Sequence, residues 1–597
     1  MLKILFRKIK FSNYLHEVFF LLGGDSSKLP KMLVLFFIIS IFELIGIGLI
    51  GPYIIIISNP TKIEEFLVGF DSFLNIPFEG NNLLIILSLS LAVVFIIKSL
   101  LTIFTNYIIL KFSSDQRVKI QSLLMENYQS LPYESYVKRN SSAYIHSIQI
   151  LADRYASGVL LSGIRVCNEG IVAVSILTFL AWTNFAAFAI LTILVGSAMF
   201  LYDRIFRKKM LDLGVSSVEA ERFMLKGVNE GIEGLKELRI LGTQDYFLDK
   251  VTTGAKDYGD CYLYSSTVST SPRYLLEIIM MLFVVSLVLI SLYFYGQAQS
   301  ILPTLGVFGV AAIRLLPSVN LISNSISSFR YSRNSISKLY KDISGFRADS
   351  NLSKKPQVKA DFNSIELMDV FFKYEGTRKD TLSHINLKIE KGESIGIIGI
   401  SGSGKTTLVD VLLGLLSPNK GSILFNGDEL NTRLSSWQSH IAYLPQQIFI
   451  IDDSLRKNIA LGVDNDKIDD NKIIDAIKKA SLEDFLNELP QALDTILGER
   501  GIRISGGQRQ RVALARAFYH DRDVLFMDES TSALDTETEK EVVREILNLK
   551  GKRTVVVIAH RLNTLKHCDR VYKLEGGAIV DTGVIDENFN FISMNTL

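Results

Sequence analysis

The stretch Gly399-Ile400-Ser401-Gly402-Ser403-Gly404-Lys405-Thr406 fits the pattern G-x-x-x-x-G-K-[ST]. It follows the apolar run Ser394–Ile398 and opens into a helical pattern that begins at Thr407. Glycines in such a turn let backbone N–H groups converge on phosphate oxygens at a helix N-terminus. Lys405 supplies a positive charge for the β- and γ-phosphates, and the Thr406 hydroxyl can bind Mg²⁺. The stretch therefore predicts a strand, an ATP-binding P-loop and a helix, with a chance glycine-rich turn as the alternative.

Apolar residues are concentrated in the first 330 residues of the 597-residue chain, which hold most of its long apolar runs. The formal net charge of +2 is too small to indicate a nucleic acid or an acidic partner. The three cysteines, Cys167, Cys261 and Cys568, are far apart and match no metal-ligand spacing. We therefore expect no nucleic acid partner, no disulfide framework and no zinc site.

Six segments are apolar and nearly long enough to cross a bilayer of ~30 Å, which needs about 20 helical residues. They lie near 32–57, 82–111, 157–182, 185–206, 273–296 and 301–326. Basic residues cluster before the first span and in the stretches 111–154 and 203–256, whereas the outer loops hold only Lys62. The positive-inside rule then predicts that both termini lie in the cytoplasm. The two basic stretches also carry helical patterning, so we expect the spans to continue into long cytoplasmic hairpins.

The pattern of the sequence changes after a polar stretch that is typical of a linker. Beyond it, short strand-like runs alternate with helical ones, and these runs are Ile365–Phe372, Ser394–Ile398, Ile441–Leu444, Val524–Met527 and Thr554–Ile558. Such alternation is typical of an α/β domain with parallel strands. We predict a transmembrane domain over 1–345, a linker over 346–360 and a nucleotide-binding domain over 361–597.

Two further segments carry chemistry that complements the P-loop. Val524–Met527 is an apolar run followed by Asp528, placed to hold Mg²⁺ through water, and Glu529, placed to polarise the water that attacks the γ-phosphate. A strand that ends in a solvated acidic turn is the alternative for this segment alone. About twenty residues upstream, Ile504 is followed by Ser505-Gly506-Gly507-Gln508, a turn at the start of a helix and a second anion-binding N-terminus.

Together these segments resemble the ATP-binding cassette (ABC) transporter family, whose signature is similar to Ser505–Gln508, and the resemblance covers the whole chain. It implies that Gln446 senses Mg²⁺ and the γ-phosphate, that His560 contacts the γ-phosphate, that Tyr374 stacks on adenine and that Asp535 lies at a dimer interface. The residues of the implied ATP site are Tyr374, Gly399, Ile400, Ser401, Gly402, Ser403, Gly404, Lys405, Thr406, Thr407 and Gln446. The implied metal ligands are Thr406, Gln446 and Asp528, and the implied catalytic residues are Glu529 and His560. The implied contacts with the partner's ATP come from the signature residues Ser505, Gly506, Gly507 and Gln508.

Departures from the family pattern are small. Ile504 stands where leucine is usual and Ser530 where alanine is common, and neither removes a polar group that the chemistry needs. We therefore expect hydrolysis of ATP with Mg²⁺. The resemblance also implies that each site is closed by the signature of another nucleotide domain, so a homodimer with two ATP sites is expected. The order of domains resembles that of exporters: a polytopic α-helical membrane domain with six spans, followed by a P-loop α/β ABC ATPase domain.

Ionisable residues within the spans are costly and are by default functional candidates. Arg273 with Glu277, and Arg165 with Glu169, are four apart on a helix and could neutralise each other. Lys98 and Arg314 have no such local partner, and both are expected in the inner half of the membrane. Cations there suit a phosphate-bearing lipid head group. The alternative is internal ion pairing with Glu43 and the other acidic residues.

The segments around Lys98, Arg273 and Arg314 are similar to those of bacterial flippases for lipid-linked oligosaccharides in protein N-glycosylation, which makes these three residues candidates for substrate binding. The resemblance implies a homodimeric flippase in a bacterial inner membrane, with its nucleotide domain in the cytoplasm. Its cargo would be a polyprenyl-pyrophosphate-linked oligosaccharide or a related lipid-linked saccharide, moved to the outer side. An ABC exporter of drugs, lipids or peptides is one alternative, and an ATP-gated channel or regulatory subunit is another.

Overall fold

The computed structural model describes residues 13–58, 80–137, 140–295, 302–349, 361–528, 543–544, 547–558, 565–586 and 590–594. The chain forms two compact units. One comprises Met1–Leu131 with Tyr136–Leu352, and the other comprises Pro132–Ser135 with Ser353–Leu597. We call them the helical unit and the nucleotide unit.

The helical unit is built from seven long helices, in addition to a helical segment over residues 13–22. They are α1 (Leu29–Ser58), α2 (Gly80–Gln129), α3 (Ser162–Thr183), α4 (Phe185–Glu233), α5 (Gln244–Tyr295), α6 (Leu302–Tyr331) and α7 (Arg333–Asp349). Shorter segments are the 3₁₀ turn Gly23–Lys28, the helices Ser141–His146 and Leu235–Leu241, and the π-helical turns Ser147–Leu151 and Arg154–Leu161. The short helix Tyr133–Val137 begins in the segment Pro132–Ser135, which belongs to the nucleotide unit.

Within the described part of the chain, six helical stretches are long and apolar enough to cross a membrane. The six spans expected from hydropathy are therefore confirmed. Three of the helices, α2, α4 and α5, contain 50, 49 and 52 residues. At 1.5 Å per residue each is roughly 75 Å long, more than twice the ~30 Å of a bilayer's hydrocarbon core. The excess length agrees with the expectation of long cytoplasmic hairpins, which stays a prediction.

Apolar side chains cover much of the outer surface of these helices. On α2, for example, Leu100, Ile103, Phe104 and Tyr107 are each more than half exposed. Such a surface suits contact with lipid and would be unfavourable in water. The buried positions lie between helices, and the packing there is close enough to require glycine at one crossing: a Cβ at Gly214 of α4 would lie 2.2 Å from the carbonyl oxygen of Tyr331.

The nucleotide unit contains two sheets. Its strands are β1 (Ser364–Phe372), β2 (Leu382–Glu390), β3 (Ser394–Ile398), β4 (Lys420–Phe425), β5 (Asp428–Glu429), β6 (Ile441–Leu444), β7 (Val524–Asp528), β8 (Thr554–Ile558), β9 (Arg570–Glu575), β10 (Ala578–Ile585) and β11 (Phe591–Ser593). Its longer helices are α8 (Lys405–Leu412), α9 (Leu430–Gln438), α10 (Leu455–Ile459), α11 (Asp470–Lys479), α12 (Glu483–Glu488) and α13 (Gly506–His520).

One sheet has the order β11-β10-β9-β3-β8-β7-β6, in which the strands from β9 to β6 are parallel, and the other has the antiparallel order β2-β1-β4-β5. The prediction of parallel strands holds for β3, β6, β7 and β8. It is wrong for Ile365–Phe372, which lies within β1 of the antiparallel sheet. The burial pattern explains the difference, because β7 and β8 are buried at every position, whereas β1 has exposed residues between its buried ones.

Candidate functional site

The P-loop connects β3 to α8, as the sequence predicts. Two of its glycines have positive φ angles, 81° at Gly402 and 101° at Gly404, which other residues adopt only with strain. A Cβ at Gly404 would also lie 2.9 Å from the carbonyl oxygen of Thr381. The Lys405 ammonium donates hydrogen bonds to the carbonyl oxygens of Gly399 and Ile400, at 2.9 and 3.0 Å. The loop thus holds a positive charge in its centre, at the N-terminus of α8, where an anion is favoured.

Threonine and tyrosine side chains border this loop. Thr406 is exposed on the first turn of α8, whereas Thr407 is buried. The Tyr374 hydroxyl lies 3.3 Å from Oγ1 of Thr407, and its ring packs edge-on against Phe372 with a centroid distance of 4.9 Å. Tyr374 is 37% exposed, so part of its ring is accessible beside the P-loop helix. This position agrees with a role in stacking on adenine, which stays a prediction.

The carboxyl ends of β3, β6 and β7 lie at the same edge of the parallel sheet, because the strands run in one direction. This topology brings the P-loop, Gln446 after β6 and Asp528 at the end of β7 to one side of the nucleotide unit. Ligands of open α/β sheets bind at this edge. Asp528 is only 4% exposed, so its carboxylate lies in a buried position that suits a bound cation.

Asp410 on α8 also belongs to this site, although the sequence analysis did not predict it. Burial, and then the negative charge of Asp528, raise the pKa of Asp410 on α8 to about 6. The same two causes raise the pKa of Tyr443 on β6. The signal was present in the spacing, because Asp410 follows Thr406 by four residues and so lies on the same face of α8. The surplus of negative charge near Thr406 and Asp528 fits a site for a divalent cation.

The signature segment forms the N-terminus of α13. The Ser505 hydroxyl accepts a hydrogen bond from the backbone N–H of Gln508 at 3.1 Å, and the Gln508 side chain accepts one from the N–H of Ser505 at 2.8 Å. This capping box fixes the first turn of the helix. The N–H groups of Gly506 and Gly507 lie in that turn, where N–H groups have no partner within the helix. The predicted helix start is therefore present, and anion binding there stays a prediction.

Glu529 and His560, the predicted catalytic residues, lie outside the described residues, as do Ser530 and Asp535. Their roles remain predictions.

Two of the three candidate cargo residues in the helical unit, Lys98 and Arg314, lie in a charged cluster between four helices. Oε1 of Glu43 on α1 lies 2.8 Å from Nζ of Lys98 on α2 and 2.8 Å from Nε of Arg314 on α6. Nη2 of Arg314 also lies 3.7 Å from Oε2 of Glu169 on α3. The alternative of internal ion pairing with Glu43 is thus what the structure shows for Lys98 and Arg314, and their role in binding cargo stays a prediction.

The two expected pairs within single helices have different outcomes. Arg273 and Glu277 are paired at 3.0 Å on the exposed surface of α5. Arg165 and Glu169 are both described but are not paired. Glu169 instead accepts hydrogen bonds from Ser318 at 2.6 Å and from Asn168 at 3.1 Å. Arg273 is therefore not part of the cluster around Glu43.

Comparison with known proteins agrees with this arrangement. Residues 382–532 match the family model described as ABC transporter. The chain is similar in fold to a bacterial Atm1-family ABC exporter with ATP bound, with a TM-score of 0.75, 20% sequence identity and coverage of 94% of this chain and 96% of the other. The chain thus combines six helices that are long and apolar enough to cross a membrane with a domain that matches the ABC transporter model, and its fold is similar to that of an ABC exporter.

Three proteins with similar sequences are named as ATP-dependent lipid A-core flippases. An ATP-dependent lipid A-core flippase of Saccharophagus degradans is 28% identical over 507 residues, 83% of each chain. The one of Bordetella avium is 26% identical over 524 residues, 85% of this chain and 86% of the relative. The one of Desulfotalea psychrophila is 44% identical over 225 residues, 38% and 39% of the two chains. These names favour the alternative of a lipid exporter over the expected flippase of protein N-glycosylation.

Proposed function

We propose that the protein is a homodimeric, ATP-driven lipid flippase of a bacterial inner membrane, and that its cargo is a glycolipid with a phosphate-bearing head group. Both termini and the nucleotide unit would lie in the cytoplasm, with cargo moving from the inner to the outer leaflet. The observation that carries the proposal is the cluster of Glu43, Lys98, Arg314 and Glu169 on four helices that are long and apolar enough to cross a membrane. Supporting it, the relatives named above are lipid A-core flippases.

The cost of the cluster argues for a function. An ionisable side chain at the centre of a membrane helix costs about 2.5–3.5 kcal/mol on insertion scales. Replacing a buried ion pair by apolar residues of similar volume is often neutral or stabilising. Apolar packing would therefore join these helices at least as well, so the charges are best explained by a polar ligand. An anionic head group can form charge-assisted hydrogen bonds with Lys98 and with both edges of the Arg314 guanidinium.

In the nucleotide unit we assign the phosphates of ATP to the P-loop and Lys405, and the adenine ring to Tyr374. Thr406, Gln446 and Asp528 would hold Mg²⁺, which neutralises charge on the transferred phosphoryl group. Glu529 would orient the attacking water and His560 would contact the γ-phosphate. Because the resemblance to ABC transporters implies that the signature of one subunit closes the ATP site of another, we assign the helix start Ser505–Gln508 to the ATP of the partner subunit.

The test is transport by the full-length protein in proteoliposomes. Three labelled cargos are compared: a lipid A-core glycolipid, a polyprenyl-pyrophosphate-linked oligosaccharide and a neutral glycolipid without phosphate. We expect ATP-dependent movement of a phosphorylated cargo, fastest for lipid A-core, and no movement with Glu529→Gln. Faster movement of the polyprenyl cargo would restore the N-glycosylation hypothesis.

Two outcomes would overturn the proposal. Preference for the neutral glycolipid, or for apolar compounds without phosphate, would assign a drug or peptide exporter. Ion currents with little turnover of ATP would assign a channel.

A further inference from the structure

Two cations contact the Glu43 carboxylate, and both contact the same one of its two oxygens. Glu43 is 3% exposed, and the shared oxygen is Oε1. Lys98 donates a well-formed hydrogen bond of 2.8 Å to that oxygen. Nε of Arg314 lies at the same distance, but its N–H is not aligned with any acceptor, and Oε2 of Glu43 has no hydrogen-bond partner. The carboxylate therefore leaves one of its oxygens unused, and the Nε–H of Arg314 is left without an aligned acceptor.

The second carboxylate of the cluster is better held. Glu169 accepts hydrogen bonds from Ser318 and Asn168 and also lies near Arg314. With Glu43, Glu169, Lys98 and Arg314 all ionised, the cluster contains two negative and two positive charges and is neutral. A neutral cluster gives a phosphate no net attraction. The cations become available to an anion only when one carboxylate leaves them, and Glu43 is the one with fewer hydrogen bonds.

We propose that Glu43 is an internal counter-ion that competes with the cargo phosphate for Lys98 and Arg314. This inference rests on the proposed function. A phosphate group has three acceptor oxygens and up to two negative charges, so it can satisfy the Arg314 N–H that Glu43 leaves unaligned while also accepting from Lys98. Cargo binding displaces Glu43. The return of Glu43 to the two cations then weakens their hold on the phosphate and promotes release at the outer side.

If Glu43 competes with the cargo phosphate, removing its charge should raise the affinity for cargo but lower the rate of transport. Glu43→Gln removes the competing charge but keeps the size and shape of the side chain. Cargo then binds more tightly, because the cations no longer have to exchange one anion for another, and leaves more slowly, because no carboxylate replaces it. A merely structural ion pair predicts something else: removing one partner leaves a buried uncompensated charge, which lowers stability without tightening cargo binding.

The experiment uses full-length protein in vesicles of neutral phospholipid, titrated with lipid A-core glycolipid. The readouts are the half-stimulating cargo concentration for ATP hydrolysis and the maximal transport rate. For Glu43→Gln we expect the half-stimulating concentration to fall about tenfold, the scale of one charge-assisted hydrogen bond, and the maximal rate to fall as well. The half-stimulating concentration of a neutral glycolipid should be unchanged by the substitution. The matched control is Asp153→Asn, because Asp153 pairs with Arg117 at 2.9 Å outside the cluster.

The possible failures are distinguishable. Wild-type protein that moves no phosphorylated glycolipid overturns the proposed function itself. Wild-type transport with an unchanged or raised half-stimulating concentration in Glu43→Gln overturns the counter-ion proposal alone. Glu43→Asp, which keeps the charge but shortens the side chain, serves as the second variant, and a smaller shift in the same direction is expected. Failure of both variants to fold would assign Glu43 a structural role and would also overturn the proposal.

Discussion

The substitution Gly404→Ala tests whether the geometry of the P-loop determines nucleotide affinity. The φ angle of Gly404 is 101°, and a Cβ there would meet the Thr381 carbonyl oxygen at 2.9 Å and the Leu382 side chain at 3.1 Å. A left-handed conformation costs an L-residue about 1–2 kcal/mol, and the contact with a backbone oxygen forces the loop to shift as well. The backbone N–H groups at the start of α8 shift with it.

We expect ATP affinity to fall about 10- to 100-fold, since each 1.4 kcal/mol is a factor of ten. The assay is titration of full-length protein with a fluorescent ATP analogue, together with the melting temperature. Gly427→Ala is the matched control, because Gly427 also has a positive φ of 89° but has nothing within 4 Å of the added Cβ and lies in the β4–β5 turn. It should lower stability and leave ATP affinity within about twofold. Wild-type affinity in Gly404→Ala, or equal losses in both variants, would show that the geometry at Gly404 does not determine nucleotide affinity.

Two more predictions concern charged residues. Arg314→Ala removes one of the two cations at Glu43, so the apparent affinity for a phosphorylated glycolipid should fall about 10- to 100-fold. The affinity is measured by titrating the stimulation of ATP hydrolysis, with Arg117→Ala as the control. An unchanged affinity would contradict the proposed head-group site. Asp410 has its pKa raised from 3.8 to about 6, so between these values the folded protein binds a proton that the unfolded chain lacks, and its contribution to stability falls as pH rises through this window. The melting temperature of Asp410→Asn should therefore decline less between pH 4 and 6 than that of wild type, and equal slopes would contradict the assignment.

Local patterns were sufficient for much of the fold. The P-loop, the six spans and the helix start at Ser505 are each determined by residues within a few turns of one another, so sequence spacing predicts them directly. The sheet was predicted less well. Ile365–Phe372 has the composition of a strand, but whether a strand joins a parallel or an antiparallel sheet depends on partners such as β2 and β4, and no local pattern specifies these.

The charged cluster could not be predicted from local sequence patterns either, because its residues are far apart in the chain. Glu43 and Lys98 are 55 residues apart in sequence, and Arg314 comes from a third helix. Spacing along one helix predicted the Arg273–Glu277 pair correctly. It also suggested an Arg165–Glu169 pair, but Glu169 lies against Arg314 and Ser318 instead. Helix packing therefore decides which charges meet, and it is packing that makes Glu43 the shared partner of both cations.

We propose that the helical unit recognises a phosphate on its cargo. The most direct test of this proposal is the initial rate of ATP-dependent movement of one glycolipid, with and without its phosphate groups, by the same wild-type proteoliposomes. Two charge-assisted contacts to the phosphate, from Lys98 and Arg314, predict a rate at least about tenfold higher for the phosphorylated form at subsaturating concentration. Equal rates for the two forms would show that the phosphate is not recognised.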